Sequence, residues 1–290
     1  MRPAPSLEGL VSGYHVYCAG PPGSPVWQEL FFPGWSNIRL TLEDGGWHCA
    51  PVGEPMRPVP EIALFGPASR GVHSRSTGGL MVGAGITPLG WHRLFRVPAH
   101  VLTDCIVPLS PHIAHVPEGL IERARHDPSP QAIQQLFDEW LTSCLRPASP
   151  VAPSIAGLFS RLTHSDDSEL ADLQTVLDLS ASQLRRLARN HFGLPPKLLL
   201  RRTRFLKSIS SIISMPDTNW SGVIDQRYFD YAHFVRDCQE FLGMAPSKFL
   251  ALDRPMTRLS MMKRAEQLGA PLQGLHRPDP DLLPLQPAGN

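Results

Sequence analysis

Two stretches of the chain, fifty residues apart, carry the same punctuation. Ser180 matches Asp230, Leu184 matches Phe234, Arg186 matches Arg236, Gly193 matches Gly243 and Pro196 matches Pro246. A fixed offset over five positions of matching character marks two copies of one structural unit. In each copy a residue of N-cap type opens a short amphipathic run, a glycine closes it and a proline starts the next. That order predicts a helix-turn-helix, made twice.

The first copy is also strongly basic. Arg185, Arg186, Arg189, Lys197, Arg201, Arg202, Arg204 and Lys207 fall within 23 residues that contain no acid. Leu184 and Leu187 face inward. Ser182, Arg185, Arg186 and Arg189 share the other side, because helical spacings of three, four and seven return to one face. Arginine is the commonest reader of guanine in the major groove, and the N-terminal half of a recognition helix does the reading. Gln183 becomes an adenine reader if the helix rolls slightly. For any single arginine a solvated helix face is the plainer reading; the repeat, the caps and the acid-free run together favour contact with DNA.

The rest of the chain sets bounds. Its 290 residues suffice for two ordinary domains, and 42% hydrophobic with 18% charged residues fits a globular protein. The net charge of +1 says little, but its distribution is uneven. Residues 1–150 hold ten arginines against twelve acids, residues 151–252 twelve basic against ten acidic groups. Within the second copy, Asp217, Asp225, Asp230, Asp237 and Glu240 outnumber Arg227 and Arg236, so the first copy is expected to supply most of the attraction to phosphate. Five scattered cysteines without a C-x-x-C predict reduced thiols in a cytoplasmic protein. No secretory leader and no membrane span are expected.

Ahead of the repeat, residues 1–13 read as a loose leader. Short strand-like runs follow between Gly and Pro breakers, at 14–18, 27–32, 37–42, 61–65 and 80–82. The clearest is 37–42, where Ile38, Leu40 and Leu42 alternate with Arg39 and Thr41. Such runs predict a small barrel or sandwich. Trp27, Trp35, Trp47 and Trp91 are expected mainly as core aromatics, with a pocket lining as the sharper alternative. Leu120, Ile121 and Ala124, then Ile133, Leu136, Phe137, Trp140, Leu141 and Cys144, predict two helices. The expected organisation is α+β: a β-rich sensing or dimerisation domain (1–146), a linker (147–153), an all-α domain with two helix-turn-helix units joined by a long helix (154–252), and a mostly disordered tail (253–290) with room for a helical turn or two over Met256–Leu268.

Residues 154–252 resemble the C-terminal DNA-binding domain of the AraC-type (AraC/XylS) bacterial transcription regulators, most clearly over 228–249, YFDYAHFVRDCQEFLGMAPSKF. The stretches FGPASR (65–70), VGAGITPLGW (82–91) and LTDCIVPL (102–109) resemble, more faintly, the β-rich sensing region that precedes this domain in some members. The resemblance implies recognition helices entering successive major grooves of promoter DNA. By position, Ser182, Arg185 and Arg186 face bases in the first helix, and Ala232, Val235 and Arg236 in the second. The chain departs from the family pattern at Asp178 and Arg227, which stand where the turns usually carry glycine. It departs again at Gly222, inside the first helix of the second unit, and at Ala188 and Cys238, which replace large aromatics. The second unit is therefore expected to be the looser one.

The resemblance leaves RNA polymerase, a small-molecule effector and a second copy of the chain open as partners beside double-stranded DNA. No cofactor is expected. An enzymatic reading finds little: Gly83-Ala-Gly85 lacks the third glycine of a dinucleotide loop, and His112 with His115, or His48 beside Cys49, are read as chance neighbours among twelve histidines. The alternative kept open is a β-barrel enzyme or metal-binding protein whose helical domain has lost DNA binding.

Overall fold

The structure, a computed structural model, describes residues 1–43, 46–147, 149–164, 170–215, 222 and 224–277. It is α+β, with an antiparallel N-terminal sandwich followed by helices. The strands are β1 (Val11–Cys18), β2 (Trp27–Phe31), β3 (Ser36–Thr41), β4 (His48–Pro51), β5 (Arg57–Pro58), β6 (Ile62–Phe65), β7 (Val72–Ser76), β8 (Leu80–Ile86) and β9 (Ile106–Pro108). One sheet has the order β1-β8-β3-β6-β9, the other β2-β7-β4-β5. Three helices follow in this half: α1 (Pro88–Leu94), α2 (Leu120–His126) and α3 (Pro130–Ser143).

Alternation along the strands divides the larger sheet into two faces. Ile38, Leu40, Leu64, Val82, Ala84 and Ile86 turn outward and form one core with Leu94, Phe95, Ile121, Phe137 and Trp140 of the covering segments. Each valine, leucine, isoleucine or phenylalanine among them contributes about 1.5–3 kcal/mol by leaving water. The inner face meets the smaller sheet, and there the lining is mixed. Cys49, Ala63 and Phe65 pack together, while Arg39, Thr41, Ser74 and Ser76 are buried nearby. The alternation at 37–42 is as expected, yet Arg39 does not face solvent: at 8% exposure it points between the sheets. Strands β4, β5, β7 and β9 had no sequence signal, because they are short or, in β7, turn serine inward at Ser74 and Ser76.

The helical half comprises α4 (Ala152–His164), α5 (Leu170–Leu177), α6 (Ala181–Leu187), α7 (Pro196–Ser214), α8 (Tyr231–Leu242) and α9 (Pro246–Leu250). Both expected caps form. Ser180 Oγ accepts from Gln183 N–H at 3.3 Å, and Asp230 accepts from His233 N–H at 2.7 Å. Gly193 and Gly243 end the runs with φ of 80° and 72°, and Pro196 and Pro246 open the next helices. Asp178 takes the left-handed φ of 50° that the missing glycine would have supplied. Arg227 does not. Its backbone N–H and guanidinium instead hold the Asp225 carboxylate, so the second turn has a different shape. The expected first helix of the second unit, around Gly222, lies largely outside the described residues, as does the polar break at 165–168.

The sandwich fixes where the two units sit. Thr103 Oγ1 donates to Gly193 O at 2.8 Å, and Gly71 N–H donates to Phe241 O at 2.6 Å. A Cβ at Gly193 would meet Pro67 at 2.8 Å, and one at Gly243 would meet Val52 at 2.6 Å. Trp35 enters the core of the first unit, edge-on to Phe159 and Phe192 at 5.6 and 5.8 Å, in the cluster that also holds Ala188. Around Cys238, Phe205 packs on Phe234 and Phe241. Aromatic side chains thus pack in both cores that contain Ala188 and Cys238.

Two expectations fail at the ends of the chain. Residues 1–13 are no loose leader: Leu7 is fully buried, and the amino terminus donates to Tyr14 O at 3.0 Å. Nor is 253–277 a loose tail. It forms α10 (Pro255–Leu268) and a 3-10 turn (Gln273–Leu275) folded back on the sandwich. Helix α10 lies against β1 and β2, the edge strands of the two sheets, and so closes the side where the sandwich would be open. Glu29 of β2 caps it, accepting from Met256 N–H and Thr257 N–H at 2.7 Å each. Residues 278–290 lie outside the described residues.

Candidate nucleic-acid interface

Helix α6 presents the surface that the sequence points to. Ser182, Gln183, Arg185, Arg186 and Arg189 are exposed, while Leu184 and Leu187 are buried beneath them. The scaffold is firm: Ser180 and Gln183 form a reciprocal capping box, and the helix continues as a π turn over 188–192. In that box Gln183 Oε1 accepts from Ser180 N–H at 2.8 Å, so any adenine contact by this side chain competes with the cap for the same oxygen. Arg185, Arg186 and Arg189 make no ion pair among the described residues. The helix and its π turn, 181–192, contain no acid.

The remaining basic run divides by depth. Lys197 is exposed, but Arg201, Arg202 and Arg204 are occupied inside the protein. Arg201 binds Asp237 at 2.6 Å and Glu240 at 3.0 Å. Arg202 is fully buried, donating to Gly34 O at 3.1 Å and Ala68 O at 2.8 Å with its guanidinium 4.3 Å over the Trp35 ring. Burial pushes its pKa down to about 9. Arg204 stacks over Tyr228 at 4.5 Å. Helical spacing alone does not separate these three from the free arginines of α6.

The second copy offers a weaker face. On α8, Ala232 and Arg236 are exposed and Val235 is half-buried. Its acids are largely occupied: Asp225 with Arg227, Asp230 as the cap, Asp237 and Glu240 with Arg201. Tyr228 also donates to Asp237, at 2.7 Å, and burial raises its phenol pKa well above the ordinary value. One surface feature went unread in the sequence. Phe229, 93% exposed, and Tyr231, 47% exposed, flank the N-cap of α8.

The other candidates dissolve. Gly83 and Gly85 sit mid-strand in β8, paired with β1 and β3, not in a phosphate loop. His115 is engaged with Ser143 and Cys144, and His48 with Gly46 O. Among the described residues no group of three or more potential ligands could hold a metal ion, and no helix is long and apolar enough to cross a membrane. All five cysteines are free thiols, and burial raises the Cys238 pKa to about 12.

No family model and no curated relative matches the chain. Solved structures of ToxT from Vibrio cholerae are similar. A 1.65 Å structure is 12% identical, spans 82% of this chain and 97% of that one, and superposes with a TM-score of 0.48. A complex of strain O395 ToxT with (E)-4-(8-methylnaphthalen-1-yl)but-3-enoic acid is 12% identical over 82% and 97% of the two chains, TM-score 0.46. A form bound to an unsaturated fatty acid is 12% identical over 82% and 94%, TM-score 0.43. Likeness at this level carries no argument about function.

Proposed function

We propose that the chain is a sequence-specific DNA-binding transcription regulator of AraC type, with α6 and α8 as recognition helices in adjacent major grooves. The observation that carries this reading is the repeat of a capped helix, a left-handed glycine and a proline-started helix, its first copy bearing an unpaired arginine face. Ser182, Arg185, Arg186 and Arg189 contact DNA from α6; Ala232, Val235 and Arg236 do so from α8. Specificity rests mainly on α6, because α8 offers little hydrogen-bonding reach. The sandwich serves as the sensing domain, responding to a small molecule. RNA polymerase and a second copy of the chain remain partners to be sought, and the expected setting is the cytoplasm.

The test is selection of bound sequences from a random DNA pool, followed by a salt titration on the winning site. A protein that neutralises about 6–10 phosphates loses roughly 10³–10⁵ in affinity between 50 and 200 mM salt. A flat salt response, or a pool that never enriches, would overturn the reading.

A further inference from the structure

Single apolar side chains on a surface are ordinary, but Phe229 does not stand alone. At 93% exposure it far exceeds Val26 and Met262, which come next at 64% each. It precedes Asp230, the N-cap of α8, and the exposed Tyr231 follows the cap. Ala232 is exposed at the next position and Val235 is half-buried one turn on. Tyr231, Ala232 and Val235 share a side of the helix, because spacings of three and four return to one face. With Phe229 before them, they make the N-terminal end of α8 apolar. The fold does not use the Phe229 ring. An apolar residue in its place ordinarily packs on the fourth helical residue, here Phe234. Tyr228 does so instead, edge-on at 5.5 Å, and Tyr231 adds a second ring at 6.2 Å. Phe229 makes no ring contact among the described residues. The acids nearby are taken: Asp230 accepts from His233 N–H, Asp225 holds Arg227, and Asp237 and Glu240 hold Arg201. Arg236, exposed one turn after Ala232, makes no ion pair among the described residues.

With α8 placed as a recognition helix, this is the end that meets base edges, because such a helix reads with its N-terminal residues. In the major groove the A·T pair carries one apolar group that the G·C pair lacks, the thymine C5-methyl, and phenylalanine is among the side chains that contact it. We infer that Phe229, with Tyr231 beside it, is a specificity residue that reads thymine methyl groups. The second unit then selects A·T pairs by apolar contact, while the first grips guanine with arginine. Two features favour DNA over a protein as the occupant. The aromatic pair is continuous with the face of Ala232, Val235 and Arg236, and the free Arg236 cation suits a phosphate. This deepens the DNA-binding reading and rests on it. It gives α8 a selectivity of its own where hydrogen-bonding side chains are few.

The experiment uses the full chain and the duplex enriched from a random pool. Each thymine of that duplex is replaced in turn by deoxyuridine, which removes the methyl and leaves the hydrogen-bonding groups of the base in place. Affinity is expected to fall about fourfold for each methyl that is contacted. Phe229→Ser lowers affinity for the parent duplex and erases the effect at those thymines, whereas Phe229→Leu, which stays apolar, keeps it. Arg186→Ala weakens binding yet preserves the thymine effect, which assigns that effect to the second unit. Val26→Ser, which removes an exposed apolar side chain from the sandwich, changes neither affinity nor thymine effect. The melting temperature of Phe229→Ser matches wild type, since the ring packs on nothing. A pool that never enriches overturns the DNA-binding reading and this inference with it. A duplex that enriches but binds equally with thymine and with deoxyuridine overturns this inference alone, as does a thymine effect that survives Phe229→Ser. A Phe229→Ser variant that binds every duplex as wild type does also overturns it, and assigns the aromatic pair to a protein partner.

Discussion

Arginine is the residue on which this protein turns, and its position decides what each one does. Arg186 has no partner among the described residues, so on the proposed reading its loss is felt at DNA rather than in the fold. Arg186→Ala is expected to cost about 1–3 kcal/mol on the selected site and far less on random DNA, if it grips a base. Val235→Ala, at the equivalent face of α8, changes affinity much less. Competition binding with specific and random duplexes checks both, and an equal loss at the two positions reverses the ranking of the units. Arg201 behaves oppositely. It pairs with Asp237, whose side chain is fully buried, so Arg201→Ala strands a carboxylate. That change is expected to cost about 3–5 kcal/mol of stability, softened by the Tyr228 hydroxyl, and urea unfolding reads it. The two arginines look alike in sequence, because the partners of Arg201 come from a helix 36 residues away.

Elements differ in how far their sequences announce them. The caps of α6 and α8, the glycines that end them and the apolar stripes of α2 and α3 rest on local chemistry, and local chemistry is what a sequence displays. Helix α10 was legible only as a helical turn or two within 256–268, for a physical reason. Of its residues only Thr257 and Met261 are buried, so it carries no broad apolar stripe. Long-range contacts hold it instead. Glu29 caps its start, and Gln273 beyond its end donates to Ser36 O at 2.9 Å and accepts from Asn37. Glycines make room for this segment, since a Cβ at Gly13 would meet Leu268 at 2.8 Å and one at Gly34 would meet Gln273 at 2.6 Å. Glu29→Ala removes all three of its acceptor contacts to α10, including that of Thr257 Oγ1 at 2.5 Å, together with one from Trp27 Nε1, and is expected to destabilise the protein by about 1–3 kcal/mol. Ending the chain after Leu252 bares the edges of β1 and β2. Association by edge pairing, read as a shift in size-exclusion volume, is the expected result, and a monodisperse, equally stable truncation would remove α10 from the fold's supports.

Across the whole molecule, the division into a sandwich and a helical half was legible, but the contact between them was not. Trp35, Leu30 and Arg202 build that contact from positions with no shared period, and only the folded chain shows that each half completes the other's core. Burying so much of the basic and imidazole complement has a consequence in pH. Burial, then Arg264 and His164, lower His276 to about 3; burial and His92 lower His191 to about 4; His15 is lowered too. A histidine whose folded pKa lies below its unfolded value of about 6.5 takes up its proton more readily when the chain unfolds. The unfolded state therefore binds more protons between pH 6.5 and 4, and stability falls as pH falls through that window. The slope is at most about 1.4 kcal/mol per pH unit for each such histidine. Asp225, whose carboxyl Arg227 and its backbone hold below the ordinary range despite burial, adds its own loss only at lower pH. Urea midpoints taken at pH 7.5 and 5.0 are expected to drop for the wild type and to drop less for His276→Asn. A midpoint that holds steady or rises at pH 5.0 would mean that these imidazoles find protons, or anions, inside the folded protein after all.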